Sequence, residues 1–219
     1  MKSWIEDDNI CYDYIIRYLR EVIPKASGLI LEMEKFAKEN AVPISQPESI
    51  RLTETLLKIK NPNKILEVGT AIGYSAIKMA YASNADITTI ELSETMADLA
   101  EKNVKQAKLE ERIKILRGDA AKVLKDLNGE YDVIFIDAAK GHYMEFFTEC
   151  DRLLKKGGIL ISDNVLYKGM TATDDLVVHR KITIVRRLRK YLDMLKENKN
   201  YTTSVIPIGD GVALSVKNI

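Results

Sequence analysis

The 219-residue sequence predicts an α/β protein with a mostly parallel, seven-stranded sheet, an antiparallel C-terminal hairpin and capping helices at its N-terminus. Three observations carry this prediction. From Asn61-Pro62 onward, short apolar runs alternate with amphipathic segments of helical period. Strand, helix, strand, repeated, requires right-handed crossovers, which lay parallel strands side by side under helices on both faces. Near the C-terminus the alternation stops, and two β-rich runs flank Gly209-Asp210-Gly211, a turn that pairs its strands antiparallel.

Taken in order, the elements follow from local pattern. Ile10, Tyr14 and Tyr18, with Ile15, Leu19 and Val22, recur at helical spacing until Pro24 closes the first helix. Leu29, Met33 and Phe36 mark a second. Pro43 and Pro47 bracket a loop before a third, over 48–59. These helices read as a cap over 1–60 on an α/β core over 61–219, the whole chain forming one domain. Strands are expected at 64–68, 86–91, 112–116, 131–136 and 159–162, with helices near 73–82, 94–108, 119–127 and 143–154. A long basic helix over about 174–197 then leads to strands at 202–208 and 212–216.

Composition narrows the function classes. Lys and Arg number 33 against 32 Asp and Glu, so no bulk charge draws the chain to nucleic acid or membrane. Glu6, Asp7, Asp8 and Asp13 interrupt the first apolar stretch, against a signal peptide. No run approaches the roughly 18 apolar residues of a spanning helix. Cys11 and Cys150 lie far apart with no C-x-x-C, against a disulfide framework or a zinc site. A cytoplasmic protein without a membrane partner is expected.

The first strand runs into Glu67-Val68-Gly69-Thr70-Ala71-Ile72-Gly73-Tyr74-Ser75. Glycines at 69 and 73 let backbone approach a ligand at the carboxyl end of a parallel strand, although packing alone can also require glycine at such a turn. The dinucleotide pattern G-x-G-x-x-G fails because Ala71 replaces its second glycine, which disfavours a pyrophosphate. Glu91 ends the second strand, about 20 residues beyond Gly69, where a carboxylate can accept both hydroxyls of a ribose. Asp119 follows the third strand, where an adenine edge would lie. Together these suggest a nucleoside without a diphosphate.

Two later strands end in oxygen donors, at Asp137 and at Asp163-Asn164. Adjacent parallel strands are about 4.8 Å apart, so neighbouring strands would gather the three side chains at one edge. Two carboxylates and an amide oxygen suit a hard cation and suit zinc poorly. Capping of the following turn is the bland alternative. Lys140, three residues past Asp137, could take a proton from a hydroxyl, although most lysines simply face solvent.

At these residues the chain resembles a known family. Glu67 to Ser75, Glu91, Gly118-Asp119-Ala120 and the 131–140 segment look like the S-adenosylmethionine-dependent methyltransferases and their Rossmann-like fold. More narrowly, they resemble the cation-dependent O-methyltransferases of the catechol and caffeoyl-CoA type, from Val42-Pro43-Ile44 to Gly209-Asp210-Gly211. The resemblance implies that Ser45, Glu67, Gly69, Gly73, Ser75, Glu91, Asp119, Ala120 and Asp137 bind S-adenosylmethionine. It also implies that Asp137, Asp163 and Asn164 hold Mg²⁺ or another hard divalent cation, that Lys140 is the catalytic base beside Asp137, and that the protein is a homodimer.

The site chemistry fits catechol and 5-hydroxyuridine equally, since both offer two vicinal oxygens to a cation. Surface charge is the remaining discriminator. Residues 179–190 carry six Lys and Arg and no acid, with Ile182, Val185 and Leu188 at core-facing positions. Arg180, Lys181, Arg186 and Arg187 would then form a phosphate-contacting stripe, where a solvated helix face is the commoner meaning of such a run. The strings Thr70 to Ser75, Asp137 to Tyr143 and Asp163 to Gly169 resemble the bacterial tRNA 5-hydroxyuridine methyltransferases. That resemblance implies a tRNA anticodon loop as partner, methylated at the wobble position to 5-methoxyuridine. His142 departs from the Gln expected there. Tyr143 or Tyr167 could stack on the base or serve packing. Trp4, His179, Cys11 and Cys150 read as structural or surface residues. A non-catalytic RNA- or partner-binding module is a third reading, disfavoured by the intact Asp137, Lys140, Asp163 and Asn164.

Overall fold

The computed structural model describes residues 10–218; Trp4, Glu6, Asp7 and Asp8 lie outside them. Three helices come first: α1 (Asp13–Val22), α2 (Gly28–Glu39) and α3 (Pro47–Lys60). The alternating core follows as β1 (Lys64–Val68), α4 (Tyr74–Ala82), β2 (Asp86–Glu91), α5 (Glu94–Gln106), β3 (Ile113–Arg117), α6 (Ala120–Asp126), β4 (Tyr131–Ile136), α7 (Tyr143–Leu153) and β5 (Leu154–Ser162). It closes with α8 (Ile182–Glu197), β6 (Tyr201–Ile206) and β7 (Val212–Lys217). Short 3-10 turns at Lys140–His142 and His179–Lys181 precede α7 and α8.

The seven strands form one sheet in the order β3-β2-β1-β4-β5-β7-β6. β1 to β5 pair in parallel, and β7 runs antiparallel to both β5 and β6, as the Gly209-Asp210-Gly211 turn predicts. Chain order reverses between β1 and β4, which opens a crevice at the strands' carboxyl ends. Register decides what lines it. Val68 pairs with Ile136 and Ile136 with Ser162, so Gly69, Asp137 and Asp163 leave the sheet together.

Alternation along each strand splits the core into two layers. Ile65, Ile87, Val133 and Phe135 pack against α2 to α5 through Met33, Ile50, Leu57 and Ile77. Leu66, Ile134, Ile136 and Leu160 pack against α6 to α8 through Leu124, Tyr143, Leu188 and Tyr191. Among the described residues no helix is long and apolar enough to cross a membrane. Cys150 is buried and Cys11 half-buried, and both are free thiols.

Two expectations need correction. The fifth strand starts at Leu154, directly off α7, and not at 159. The basic helix starts at Ile182, not near 174. Side chains hold the preceding segment in turns: Arg189 donates to the carbonyls of Met170 and Thr171 and to Asp174 Oδ1, and Thr173 Oγ1 accepts from the Asp175 amide. Such local bonds offer backbone an alternative to the helix.

Candidate functional site

The crevice holds a cavity of about 700 Å³, running from the 42–45 loop past the ends of β1, β2 and β4 to the start of α6. Gly69 makes its floor possible. Its φ is +100°, and a Cβ there would lie 2.3 Å from the Asp137 carbonyl oxygen, so any side chain would part the two strand ends. Beside it, the Glu91 carboxylate accepts from the amides of Ala71 (2.8 Å) and Ser93 (2.8 Å), which aims it along the cavity wall. Asp119 caps α6 by accepting from the Ala121 amide at 2.8 Å, and lines the wall with Ala120. Ser45 and Ser75, both buried, line the opposite end with Asp137.

Two residues expected to contact the donor lie off this wall. Gly73, with φ +84°, opens α4 against Ala100 of α5 and is not exposed to the cavity. Glu67 is fully buried beneath the floor, accepting from Thr89 Oγ1, which in turn bonds Thr70 Oγ1. Burial pushes the Glu67 carboxyl up to about 7, the Ser75 and Thr89 hydroxyls offsetting part of the rise. Its place on the apolar face of β1 has no period that distinguishes it from a surface acid in the sequence.

Of the three oxygen donors, Asp137 and Asn164 line the cavity, whereas Asp163 does not. Ser45 Oγ donates to Asp137 Oδ2 at 3.1 Å, and Lys140 Nζ donates to Asn164 Oδ1 at 2.7 Å. Asp163 is fully buried, with Oδ1 accepting its neighbour Asn164's amide and Oδ2 without a hydrogen-bond partner among the described residues. Burial lifts both carboxyls, Asp163 well above its usual range with the Asp137 charge adding to the rise, while Lys140 favours the charged form of Asp137. A buried, unpaired carboxylate oxygen beside a second carboxylate is costly unless the group takes a proton or a cation meets it. The donor set is all oxygen, so it fits a hard divalent ion. No three His, Cys, Asp or Glu side chains that could hold a metal gather among the described residues, so a third oxygen at this place would have to come from the Asn164 amide.

The remaining candidates separate. Tyr143 is buried, donates to the Asp163 carbonyl at 2.8 Å and meets Tyr191 edge-on, so it packs and cannot stack on a ligand. Tyr167 stands half-buried with φ +46°, its ring centre 6.0 Å from Lys140 Nζ and 5.7 Å from Lys181 Nζ. Arg180, Arg186 and Arg187 are exposed and Lys181 is half-buried; Arg187 also donates to the Gly141 carbonyl at 3.2 Å. The basic run is thus not one uniform stripe. His142 lines the cavity with Nδ1 at 3.0 Å from Glu145 Oε2. Sequence reasoning missed Arg20, which reaches the site's loop from α1, because no local pattern signals a partner 28 positions away.

Comparison with known proteins adds to this geometry. A family model described as O-methyltransferase matches residues 26–218. The catechol O-methyltransferase of Niastella koreensis is 28% identical over 95% of this chain and 99% of its own. A solved caffeoyl-CoA O-methyltransferase candidate from Staphylococcus aureus is 35% identical, with a TM-score of 0.87 over 94% of this chain and 100% of that one. An O-methyltransferase from Bacillus cereus, solved in complex with SAH, shares the fold at 24% identity and a TM-score of 0.82, over 94% and 97%.

Proposed function

The chain belongs to the O-methyltransferase family, and on that premise we propose that it methylates 5-hydroxyuridine in the tRNA anticodon loop, using S-adenosylmethionine and a hard divalent cation. The observation that carries the RNA reading is that a lysine of the basic segment shares a ring with Lys140, which lines the cavity. Lys181 stands near the start of that segment, and its ammonium and that of Lys140 lie 5.7 Å and 6.0 Å from the centre of one ring, Tyr167. A phosphate beside an extruded base would meet a cation there, and unstacked loop bases reach such pockets at modest cost.

The residues then have distinct tasks. Glu91 would accept the ribose hydroxyls, with Asp119 and Ala120 along the adenine, while Ser45, Ser75 and Asp137 would hold the amino-acid end. Their net negative charge suits a cationic donor. Asp137, Asp163 and Asn164 would hold Mg²⁺ or a similar ion, which supplies chelation of two vicinal oxygens and a more acidic hydroxyl. Lys140 Nζ would receive that hydroxyl's proton from its post beside Asn164. Most of the acceleration would come from positioning two reactants in line.

A second reading, methylation of small catechol-like diols, is favoured by the names of the relatives above. One experiment separates the two. Labelled methyl groups should pass from the donor to tRNA isolated from a strain lacking this protein, and nucleoside analysis should find 5-methoxyuridine. Efficient turnover of catechols with no label in tRNA would leave the small-molecule reading.

A further inference from the structure

Helix α1 reaches the site through one side chain. Its inner face carries buried Ile16 and, one turn later, Arg20, while Tyr14, Tyr18 and Val22 face outward. Arg20 grips α3 as a fork: Nε donates to Glu48 Oε2 at 2.9 Å and Nη2 to Glu48 Oε1 at 2.8 Å. Nη2 also lies 3.4 Å from Gln46 Oε1. Glu48 is only 3% exposed, so the pair is shielded on the carboxylate side. A bidentate, charge-assisted pair fixes orientation as well as distance.

The gripped residues border the cavity wall. Pro43 and Pro47 stiffen the loop between them, and Gln46 caps α3, its carbonyl accepting from Ile50 at 3.0 Å. From the other side the hairpin turn closes on the same place: a Cβ on Gly209 would lie 2.2 Å from Ser49 Oγ and 3.5 Å from Gln46 Oε1. Held between Arg20 and Gly209, the loop presents buried Ser45 to Asp137 at 3.1 Å.

We propose that Arg20 is a positioning residue for the methyl donor: its fork on Glu48 and Gln46 sets the 43–46 loop so that Ser45 holds Asp137 in the orientation that receives the donor's amino-acid end. The proposal rests on the donor reading above. It separates α1 from a mere cover, because loosening one ion pair outside the cavity would cost affinity inside it.

The test is calorimetric binding of S-adenosylhomocysteine, which needs neither acceptor nor turnover, alongside thermal melting. Arg20→Met is expected to raise the Kd about tenfold, the loss of roughly one hydrogen bond to a charged group. Arg20→Lys keeps the charge but not the fork, and should also weaken binding, by a smaller factor; it carries the test if Arg20→Met does not fold. Lys155→Met, which breaks the remote pair with Asp132, serves as a control that lowers stability without changing the Kd. Arg20 variants that melt lower yet bind like the wild type would overturn the proposal and leave Arg20 a structural anchor. Failure of the wild-type protein itself to bind would instead reject the donor reading.

Discussion

At the scale of single residues, charge buried at strand ends governs the site. Asp163 Oδ2 has no hydrogen-bond partner among the described residues, so a divalent cation should stabilise the fold by mass action. Millimolar Mg²⁺ or Mn²⁺ is expected to raise the melting temperature of the wild type and not that of Asp163→Ala; an equal rise in both would remove this residue from the metal site. Lys140→Met should lower kcat by about 10²- to 10⁴-fold, the usual worth of a general base, while leaving S-adenosylhomocysteine affinity intact. Glu67 makes a pH prediction. Its carboxyl titrates near 7 in the fold against an ordinary 4.5, so the folded state keeps a proton that the unfolded chain has released. The stability this proton contributes is full below the unfolded value and is lost as pH rises toward 7. Glu67→Gln should therefore lose less stability over that range, gaining about 3 kcal/mol on the wild type by neutral pH in denaturant melts. Parallel pH curves would place the titration elsewhere.

At the scale of elements, the 163–181 segment is held by contacts that bypass regular structure. Asn164, Tyr167 and Lys168 have positive φ, which is costly for residues with a side chain and must be enforced by surrounding bonds. The Leu166 amide donates to the Asp210 carbonyl, the Lys168 amide to Asp210 Oδ1, and Arg189 clamps the far end on Met170, Thr171 and Asp174. Arg189→Met is expected to cost about 1–3 kcal/mol and to make residues 170–178 the first point of limited proteolysis. Cleavage at an unchanged rate would show that the clamp is dispensable. These elements also mark how far sequence reading reaches. Strands β1, β2 and β4 were legible to the residue, because apolar alternation bounded by Pro, Gly and Asp is local information. The start of α8 was not, because the basic run begins ahead of the helix at Arg180, while Arg189's tertiary bonds turn the preceding chain aside. Likewise Asp137, Asp163 and Asn164 were legible as strand-end donors, whereas the burial of Glu67 and the reach of Arg20 were not.

At the scale of the whole molecule, a formal charge of +1 hides an uneven distribution. Acids gather on α5, where Glu94, Asp98 and Glu101 surround Arg117. Arg180 and Arg186 are exposed on the basic segment, whose Lys181 lies 5.7 Å from the Tyr167 ring. If tRNA is the acceptor, Arg180→Glu with Arg186→Glu should weaken tRNA binding and flatten its salt dependence, since each lost phosphate contact reduces the slope by about one. Turnover of a small catechol, measured on the same variant, should change little. Equal losses on both substrates would point to damage at the site, and no loss on tRNA would leave the basic run a solvated face.

By itself the sequence determined the inventory: which runs are strands, that five of them are parallel and two form a hairpin, and which side chains stand at the strand ends. Periodicity and turn chemistry act over a few residues, so the linear order is enough to state them. Only the tertiary structure decided the encounters. Register placed Gly69, Asp137 and Asp163 abreast, an off-pattern turn brought Lys181 to Tyr167, and α1 reached across the fold to grip Glu48. Such meetings depend on how layers pack, a sum of many weak contacts between distant segments that no local stretch encodes.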